Sequence, residues 1–323
     1  MSTSSIMGTV IIPWEASPMP EGALLIDVDS TIPNLALMHI STWRKSEGIP
    51  TGWNIKDPAE VWASCIFHKN RHKTDGLRFL YPDAKIDIGG GGIDLHKNLP
   101  ADVDKLMPDY SLYPDWTSDL GFTSRGCPRH CYFCVVPEKE GRFKIHQHPS
   151  EFHDPSHKSA VLMDNNILAN EDWFFEVTNY YIEKGMAVDF NQGLDIRLMT
   201  EEIAHQLKRL KRLKFWRFAF DQMAYKDDVI SGIKMLNDAG IKVRNCATWY
   251  VYLHDASQVQ DALERCNILR ENKALPYIMV NRDAIRTQEM TNLKRWTRPQ
   301  IFFTTTFEDY DSSIRYRRTP PSL

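Results

Sequence analysis

Of the six cysteines in this chain, Cys127, Cys131 and Cys134 fall within the run Gly126-Cys127-Pro128-Arg129-His130-Cys131-Tyr132-Phe133-Cys134. The spacing is C-x3-C-x2-C. Thiolates are soft ligands that suit an iron–sulfur cluster or zinc. A tetrahedral zinc site needs a fourth ligand, and His130, His146, His148, His153 and His157 stand nearby in the sequence. A cubane held by three thiolates has one iron open to a substrate or cofactor, a departure from four-thiolate ligation. Cys65, Cys246 and Cys266 are scattered and give no second-cluster spacing; Cys65 and Cys266 read as structural thiols.

The cysteine run follows a short apolar segment at 119–124, the first of six expected strands; the others lie at 160–164, 187–191, 215–220, 241–252 and 276–281. Helical periodicity occupies 171–184, 201–214, 227–239 and 257–270. The clearest helix is 201–214, with Ile203, Leu207, Leu210 and Leu213 on one face and basic residues opposite. Thr200 offers an N-cap with Glu201 and Glu202 in the first turn. Strand–helix alternation implies a parallel sheet with right-handed crossovers. Six units predict a partial (β/α)6 barrel rather than a closed one, with its active site at the carboxyl ends of the strands. Residues 135–158 contain Pro137, Pro149 and Pro155 and leave room for only a short helix.

A small α/β domain is expected ahead of this, with strands at 23–28, 60–67 and 84–88 and a helix over 34–46. The last of these strands enters Gly89-Gly90-Gly91-Gly92, where a tight turn and a ligand-binding loop are about equally indicated. The expected division is 1–108 for this domain, 109–118 for a proline-bearing linker, 119–285 for the barrel and 286–323 for a C-terminal extension.

With the cysteine motif intact and Phe133 at its aromatic position, the sequence resembles the radical S-adenosylmethionine (SAM) superfamily over about residues 118–285. Ser124-Arg125-Gly126-Cys127-Pro128, Val161-Leu162-Met163-Asp164-Asn165-Asn166 and Gln192-Gly193-Leu194-Asp195-Ile196-Arg197 resemble the subset with a cobalamin-binding-type domain ahead of the barrel. The resemblance implies a [4Fe–4S] cluster on the three cysteines. Its open iron would chelate SAM, and reductive cleavage would give methionine and a 5′-deoxyadenosyl radical that removes hydrogen from a substrate. Phe133 would line the adenine pocket. Asp164 and Asn165 stand where the superfamily meets the methionine amino group, although the familiar Gly-Gly-Glu is missing. Arg197 is the candidate for the methionine carboxylate, because guanidinium pairs bidentately with carboxylates; an ordinary ion pair is the competing reading. Gln192, Asp195 and Asp221 fall at strand ends, where they could face the ribose or substrate. Cys246 is a candidate hydrogen-atom donor to a product radical, set against the commoner buried inert thiol.

The N-terminal segment, through Ile32-Pro33-Asn34-Leu35-Ala36-Leu37 and Gly89–Gly92, looks like a shortened, flavodoxin-like relative of the cobalamin domain. It lacks the Asp-x-His-x-x-Gly that supplies the lower axial histidine. A degenerate domain without cobalamin is therefore expected, while a cobalamin-dependent methyltransferase stays open. A non-catalytic iron–sulfur or zinc protein is the alternative of another class.

The balance of 39 basic and 42 acidic residues argues against coating nucleic acid through bulk charge, and leaves a local basic patch open. Basic residues gather at Lys208, Arg209, Lys211, Arg212 and Lys214, and at Arg315, Arg317 and Arg318, most simply as a solvated helix face and a tail. With no apolar run of membrane-spanning length and no signal-peptide pattern at Met1–Val10, a cytoplasmic enzyme with no membrane partner is expected. Its reductant would be a flavodoxin or ferredoxin. The methylthiotransferases share parts of the pattern, but too few residues follow the sixth strand for their C-terminal RNA-binding barrel.

Overall fold

Short β-rich runs punctuated by glycine and proline give thirteen strands among residues 21–314, the part of the chain that the computed structural model describes. The basic cluster at Arg315, Arg317 and Arg318 and the Met1–Val10 reading lie outside these residues. The architecture is mixed α/β with parallel sheets.

The first sheet is built from β1 (Ala23–Asp27), β2 (Thr51–Gly52), β3 (Glu60–Ser64) and β4 (Lys85–Gly89), all parallel, in the order β2-β1-β3-β4. Helix α1 (Leu35–Ser46) starts at Asn34, whose side chain accepts from the Leu37 N–H. The short α2 (Leu77–Leu80) precedes β4. Gly90 explains part of the glycine run. Its φ is +93°, and a Cβ there would stand 2.4 Å from the Cys65 carbonyl oxygen. Close packing of the loop after β4 onto the loop after β3 demands the glycine.

A second parallel sheet runs β10-β9-β8-β5. It comprises β5 (Asp119–Gly121), β8 (Ser159–Leu162), β9 (Ala187–Phe190) and β10 (Lys211–Arg212). Between β5 and β8 the chain makes an antiparallel hairpin of β6 (Ser124–Arg125) and β7 (Lys144–Ile145), enclosing the short α3 (Val136–Lys139). The third sheet is β11 (Trp216–Ala219), β12 (Ala247–Leu253) and β13 (Leu275–Val280), again parallel. A parallel bridge between Leu194 and Phe218, with the Leu194 N–H 2.7 Å from the Arg217 carbonyl, joins the second sheet to the third.

The connecting helices are α4 (Glu171–Lys184), α5 (Glu201–Arg209), α6 (Lys226–Asp238), α7 (Val243–Cys246) and α8 (Val259–Glu271). Helices α9 (Gln288–Trp296) and α10 (Pro299–Phe302) close the described chain. Helix α4 has the expected bounds, capped by Asn170 and ended by Gly185 in the left-handed region. Helix α5 stops at Arg209 rather than 214, because the residues after it extend and pair with β9 as β10. Similarly, 243–246 form a helical turn, so β12 starts at Ala247 rather than at 241.

The main core lies between strands and helices and centres on Phe174, Tyr181, Phe218, Trp249, Trp296 and Phe302, all buried. Each such side chain contributes about 1.5–3 kcal/mol on removal from water. A second cluster joins Leu25, Leu37, Met38 and Ile40 of the first sheet's layer to Leu112, Leu120 and Val161. Segment 109–118 is tied at both ends. The Tyr110 hydroxyl accepts from Leu120 N–H and donates to the Phe152 carbonyl, while the Tyr113 hydroxyl accepts from Asn34 N–H and donates to Asp27. No helix among the described residues is long and apolar enough to cross a membrane.

Candidate functional site

Residues from the carboxyl ends of successive parallel strands meet at the cysteine hairpin, and the local sequence explains how that hairpin is held. The β6–β7 ladder closes its base, and the Cys127 N–H donates to the Gly141 carbonyl at 3.2 Å. Gly126 has φ +78°, and a Cβ there would sit 2.2 Å from the Arg142 carbonyl oxygen, so no other residue fits this crossing. The loop after β8 fixes the hairpin from below. Asp164, fully buried, accepts from the Thr123 N–H (3.1 Å) and hydroxyl (2.6 Å) and from the Ser124 N–H (2.5 Å) and hydroxyl (2.5 Å). Asn165 Oδ1 accepts from the Gly126 N–H at 2.9 Å.

The three thiols lie within electrostatic reach of one another. Burial pushes the Cys131 thiol up, with Arg197 pulling it down and Cys127 adding to the rise. Burial likewise raises Cys134, and Cys131 and Cys127 add to it. Asp221, beyond β11, lies within electrostatic reach of Cys131 and Cys134. Burial pushes its carboxyl up to about 6, against the N–H of Tyr252 and the charges of Arg265 and Arg197. The buried Arg265 of α8 donates to the carbonyls of Phe220 and Tyr252, holding the ends of β11 and β12 together.

Asp195, after β9, is the hub of the polar network. Its oxygens accept a fork from Arg197 (2.6 and 2.9 Å), a bond from Arg129 Nε (3.0 Å) and one from Asn166 Nδ2 (3.3 Å). Burial works against this carboxylate, but Arg197 and Arg129 outweigh it and hold its pKa below the usual range. Arg197 also lies over the Tyr225 ring at 4.3 Å. Its guanidinium fork is thus engaged by its own chain.

Asn166 carries the most informative atom. The residue is 3% exposed, its Nδ2 donates to the Cys127 sulfur at 3.4 Å, and its Oδ1 has no hydrogen-bond partner among the described residues. A buried unpaired carbonyl costs about 1–3 kcal/mol unless a ligand supplies a donor. The backbone N–H of Arg129 also donates to the Cys127 sulfur, at 3.4 Å. Donors aimed at a sulfur favour its anionic, ligating form, so the donor set fits a thiolate-bound group.

At the rim, Phe133 stacks on Tyr252 with centroids 4.2 Å apart. Tyr132 packs edge-on against both Phe133 and Tyr252.

The structure thus gathers Phe133, Asn165, Asp195, Arg197 and Asp221 at the three cysteines. Asp164 does not fit its expected role: four donors from its own chain occupy both oxygens, so it clamps the hairpin. Cys246 does not fit either. It precedes β12 and lies at the amino ends of the strands, with Arg212 donating to its sulfur at 3.7 Å. Seven residues of β12 separate it from the carboxyl end, about 20 Å. Gln192 is exposed on the loop after β9. Sequence reasoning passed over Asn166 and Arg129, whereas Tyr252, read with Trp249 and Tyr250 as core or pocket wall, does stand at the rim. Asn166 was legible only as the next residue in a polar run, and Arg129 as the basic residue inside the cysteine motif. Among the described residues, no three His, Cys, Asp or Glu side chains are gathered as ligands of a single ion. No protein-family profile matches this chain, and no curated protein matches it.

Proposed function

We propose that this chain is a radical SAM enzyme. Cys127, Cys131 and Cys134 would hold a [4Fe–4S] cluster at the mouth of a partial (β/α)6 barrel formed by β5, β8, β9, β11, β12 and β13. The observation that carries the reading is Asn166, a buried side chain that donates to the Cys127 sulfur while its own oxygen lacks a donor. It supports a ligand with an ammonium group beside the first cysteine, as the methionine end of SAM would present. In this reading Asn166 takes the role expected of Asp164. Arg129 and Arg197, both paired to Asp195, offer cations beside which a carboxylate is stabilised. Phe133 and Tyr252 offer an aromatic wall for adenine. When bound, the cluster supplies the electron for reductive cleavage of SAM; the chain's residues orient SAM and exclude water.

A cytoplasmic setting with a flavodoxin or ferredoxin as reductant belongs to the same reading. The first sheet is read as a shortened cobalamin-type domain without the cofactor. The test is anaerobic reconstitution, reduction with dithionite and assay of 5′-deoxyadenosine. About four irons per chain and SAM-dependent 5′-deoxyadenosine, both lost when Cys127, Cys131 and Cys134 are changed to alanine, are expected. Stoichiometric zinc with no SAM cleavage sinks the proposal.

A further inference from the structure

The loop after β3 leads into a 3₁₀ segment, His68–Thr74, of sequence His-Lys-Asn-Arg-His-Lys-Thr. His68, Lys69, Arg71, His72 and Lys73 are all exposed, and Arg78 follows on the same side of β4 in sequence. Among the described residues, Lys69, Arg71, Lys73, Arg78, Arg282 and Arg286 enter no salt bridge, whereas Arg125, Arg129 and Arg197 at the cysteine hairpin do. Exposed apolar side chains accompany the basic run: Ile66, Phe79 and Leu80, with Phe79 88% exposed. Unpaired cations interleaved with exposed apolar and aromatic groups form a surface that lacks a partner.

The ledge is built rather than loose. Asp29 accepts from the N–H groups of Ile66 (2.7 Å) and Phe67 (3.0 Å) and from Asn70 Nδ2 (2.9 Å). Asn70, between Lys69 and Arg71, is thereby tied to Asp29, while both neighbours stay exposed. Gly90 and Gly92 press against the same loop from beneath, which fixes its backbone.

A continuous path of contacts joins the ledge to the cysteines. Arg282 lies over the Phe67 ring at 4.2 Å. Its neighbour Asn281 reaches His254 at 3.4 Å, His254 reaches the Tyr252 hydroxyl at 3.5 Å, and Tyr252 stacks on Phe133, next to Cys134. At the near end of this path Tyr132 is an exposed aromatic beside Cys131. Cations that track a backbone, ending in aromatic faces, are the physical requirements for holding an unpaired strand with a base stacked at the end.

We infer that the substrate is a single-stranded segment of nucleic acid, its phosphates lying on Lys69, Arg71 and Lys73 and along Arg282, with the target base entering beside Tyr132. This rests on the radical SAM reading for what happens at the cysteines, but not for the binding itself. The overall charge of −3 does not oppose it, since the cations gather in one short exposed run, Lys69 to Lys73.

The test uses the full chain and fluorescein-labelled 20-nucleotide single strands, one RNA and one DNA, titrated at several salt concentrations, with poly-glutamate as a charge control. Binding of either strand that weakens about tenfold in the triple variant Lys69→Ala, Arg71→Ala, Lys73→Ala is expected, with the salt slope shallower by about two. These residues are exposed, and circular dichroism should match the parent. If neither strand binds at low salt, if the variant binds equally well, or if poly-glutamate binds as tightly as the strands, the inference is overturned. Uncoupled 5′-deoxyadenosine formation is measured on the same preparations and should be unchanged in the variant. Cleavage of SAM without strand binding defeats only this inference. Strand binding with no SAM cleavage defeats only the radical SAM reading.

Discussion

Asp164 Oδ1 accepts from both the backbone N–H and the hydroxyl of Ser124, each at 2.5 Å, and thereby ties the end of β8 to a point three residues before Cys127. Thr123 makes the same double contact with the carboxylate. The cysteine hairpin is thus positioned by a buried carboxyl group, which burial pushes up while four donors pull it down. Asp164→Asn replaces an acceptor with an N–H₂ facing donors. The expected cost is about 2–4 kcal/mol in urea unfolding of the metal-free chain, with reconstituted iron falling in parallel. A variant as stable as the parent would show that the clamp contributes nothing.

Gly126 allows a sharper test because its requirement is steric. At φ +78°, with a Cβ position 2.2 Å from backbone oxygen, alanine cannot enter without opening the β6–β7 base. Gly126→Ala is expected to cost about 3 kcal/mol or more and to abolish reconstitution although every cysteine is present. Gly141→Ala is the matched control. Its φ is also positive, but a Cβ there meets nothing within 4 Å. Only the shared backbone strain of about 1 kcal/mol is then expected. Equal iron content in the two variants contradicts the account.

Asn166→Ala and Asn166→Asp separate binding of SAM from binding of the cluster. Removing the orphan oxygen should weaken SAM binding about tenfold, read by equilibrium dialysis on the reconstituted protein, while iron content stays near the parent's. Asn166→Asp keeps an acceptor but loses the N–H donors to Cys127 and Asp195. It also sets a second carboxylate against Asp195 and beside Cys127, a repulsion that Asn166→Ala lacks, so iron content should fall in the aspartate variant alone. If Asn166→Ala binds SAM as the parent does, the orphan oxygen has another purpose.

The pair Asp195–Arg197 is amenable to a double-mutant cycle with Asp195→Asn and Arg197→Met. Both side chains are largely withdrawn from water, at 7% and 18% exposure, while Arg129 is more open. A coupling energy of about 1–2 kcal/mol in the unfolding of the metal-free chain is expected, discounted for partial exposure. Coupling below about 0.3 kcal/mol would make the fork an incidental contact.

The six strands, the four long helices and their order were legible because apolar period and capping residues agreed, as at Thr200 and Gly185. The ends of α5 and β12 were not, because tertiary pairing overrode local periodicity: Leu207 and Leu210 continue a helical stripe, yet Lys211 is drawn into the ladder beside Ala187. The clustering of Cys127, Cys131 and Cys134 could be read from spacing alone. Asp164 could not be assigned correctly, since a carboxylate after a strand looks the same in sequence whether it faces a ligand or four donors of its own chain. Cys246 was misplaced for a related reason. The expected strand began at 241, which put the thiol well inside it, whereas the helical turn of α7 leaves it outside the first residue of β12.

Cys246 therefore gives a simple expectation. Being at the amino ends of the strands, with the length of β12 (about 20 Å) between it and their carboxyl ends, it cannot deliver a hydrogen atom to the cysteine hairpin. Cys246→Ser should leave both iron content and 5′-deoxyadenosine formation within about twofold of the parent, an effect below 0.5 kcal/mol. A loss of more than about tenfold in product formation with unchanged SAM cleavage would restore the donor role.

The junction between the first sheet and the cysteine hairpin should be sensitive to acid. His39 of α1 is buried with its Nδ1 unpaired, 4.0 Å from Asp104. His146 Nε2 lies 3.5 Å from the other oxygen of Asp104. Arg125, held by Asp104 and Glu140, and the nearby Lys105 and Lys144 complete the charges around them. Burial, then the charge of Arg125, pushes His39 down to about 3 and His146 to about 4. Both values lie below the 6.5 of an unfolded histidine, so the neutral forms stabilise the fold fully above that pH. The contribution is lost as pH falls from about 6.5 towards 4, with a slope of up to about 1.4 kcal/mol per pH unit for each histidine. His39→Leu removes the orphan nitrogen together with the titration. In urea unfolding of the metal-free chain between pH 7 and 5, this variant should match or exceed the parent at pH 7 and lose stability about half as steeply. Parallel loss in the two proteins across that window would place the acid sensitivity elsewhere.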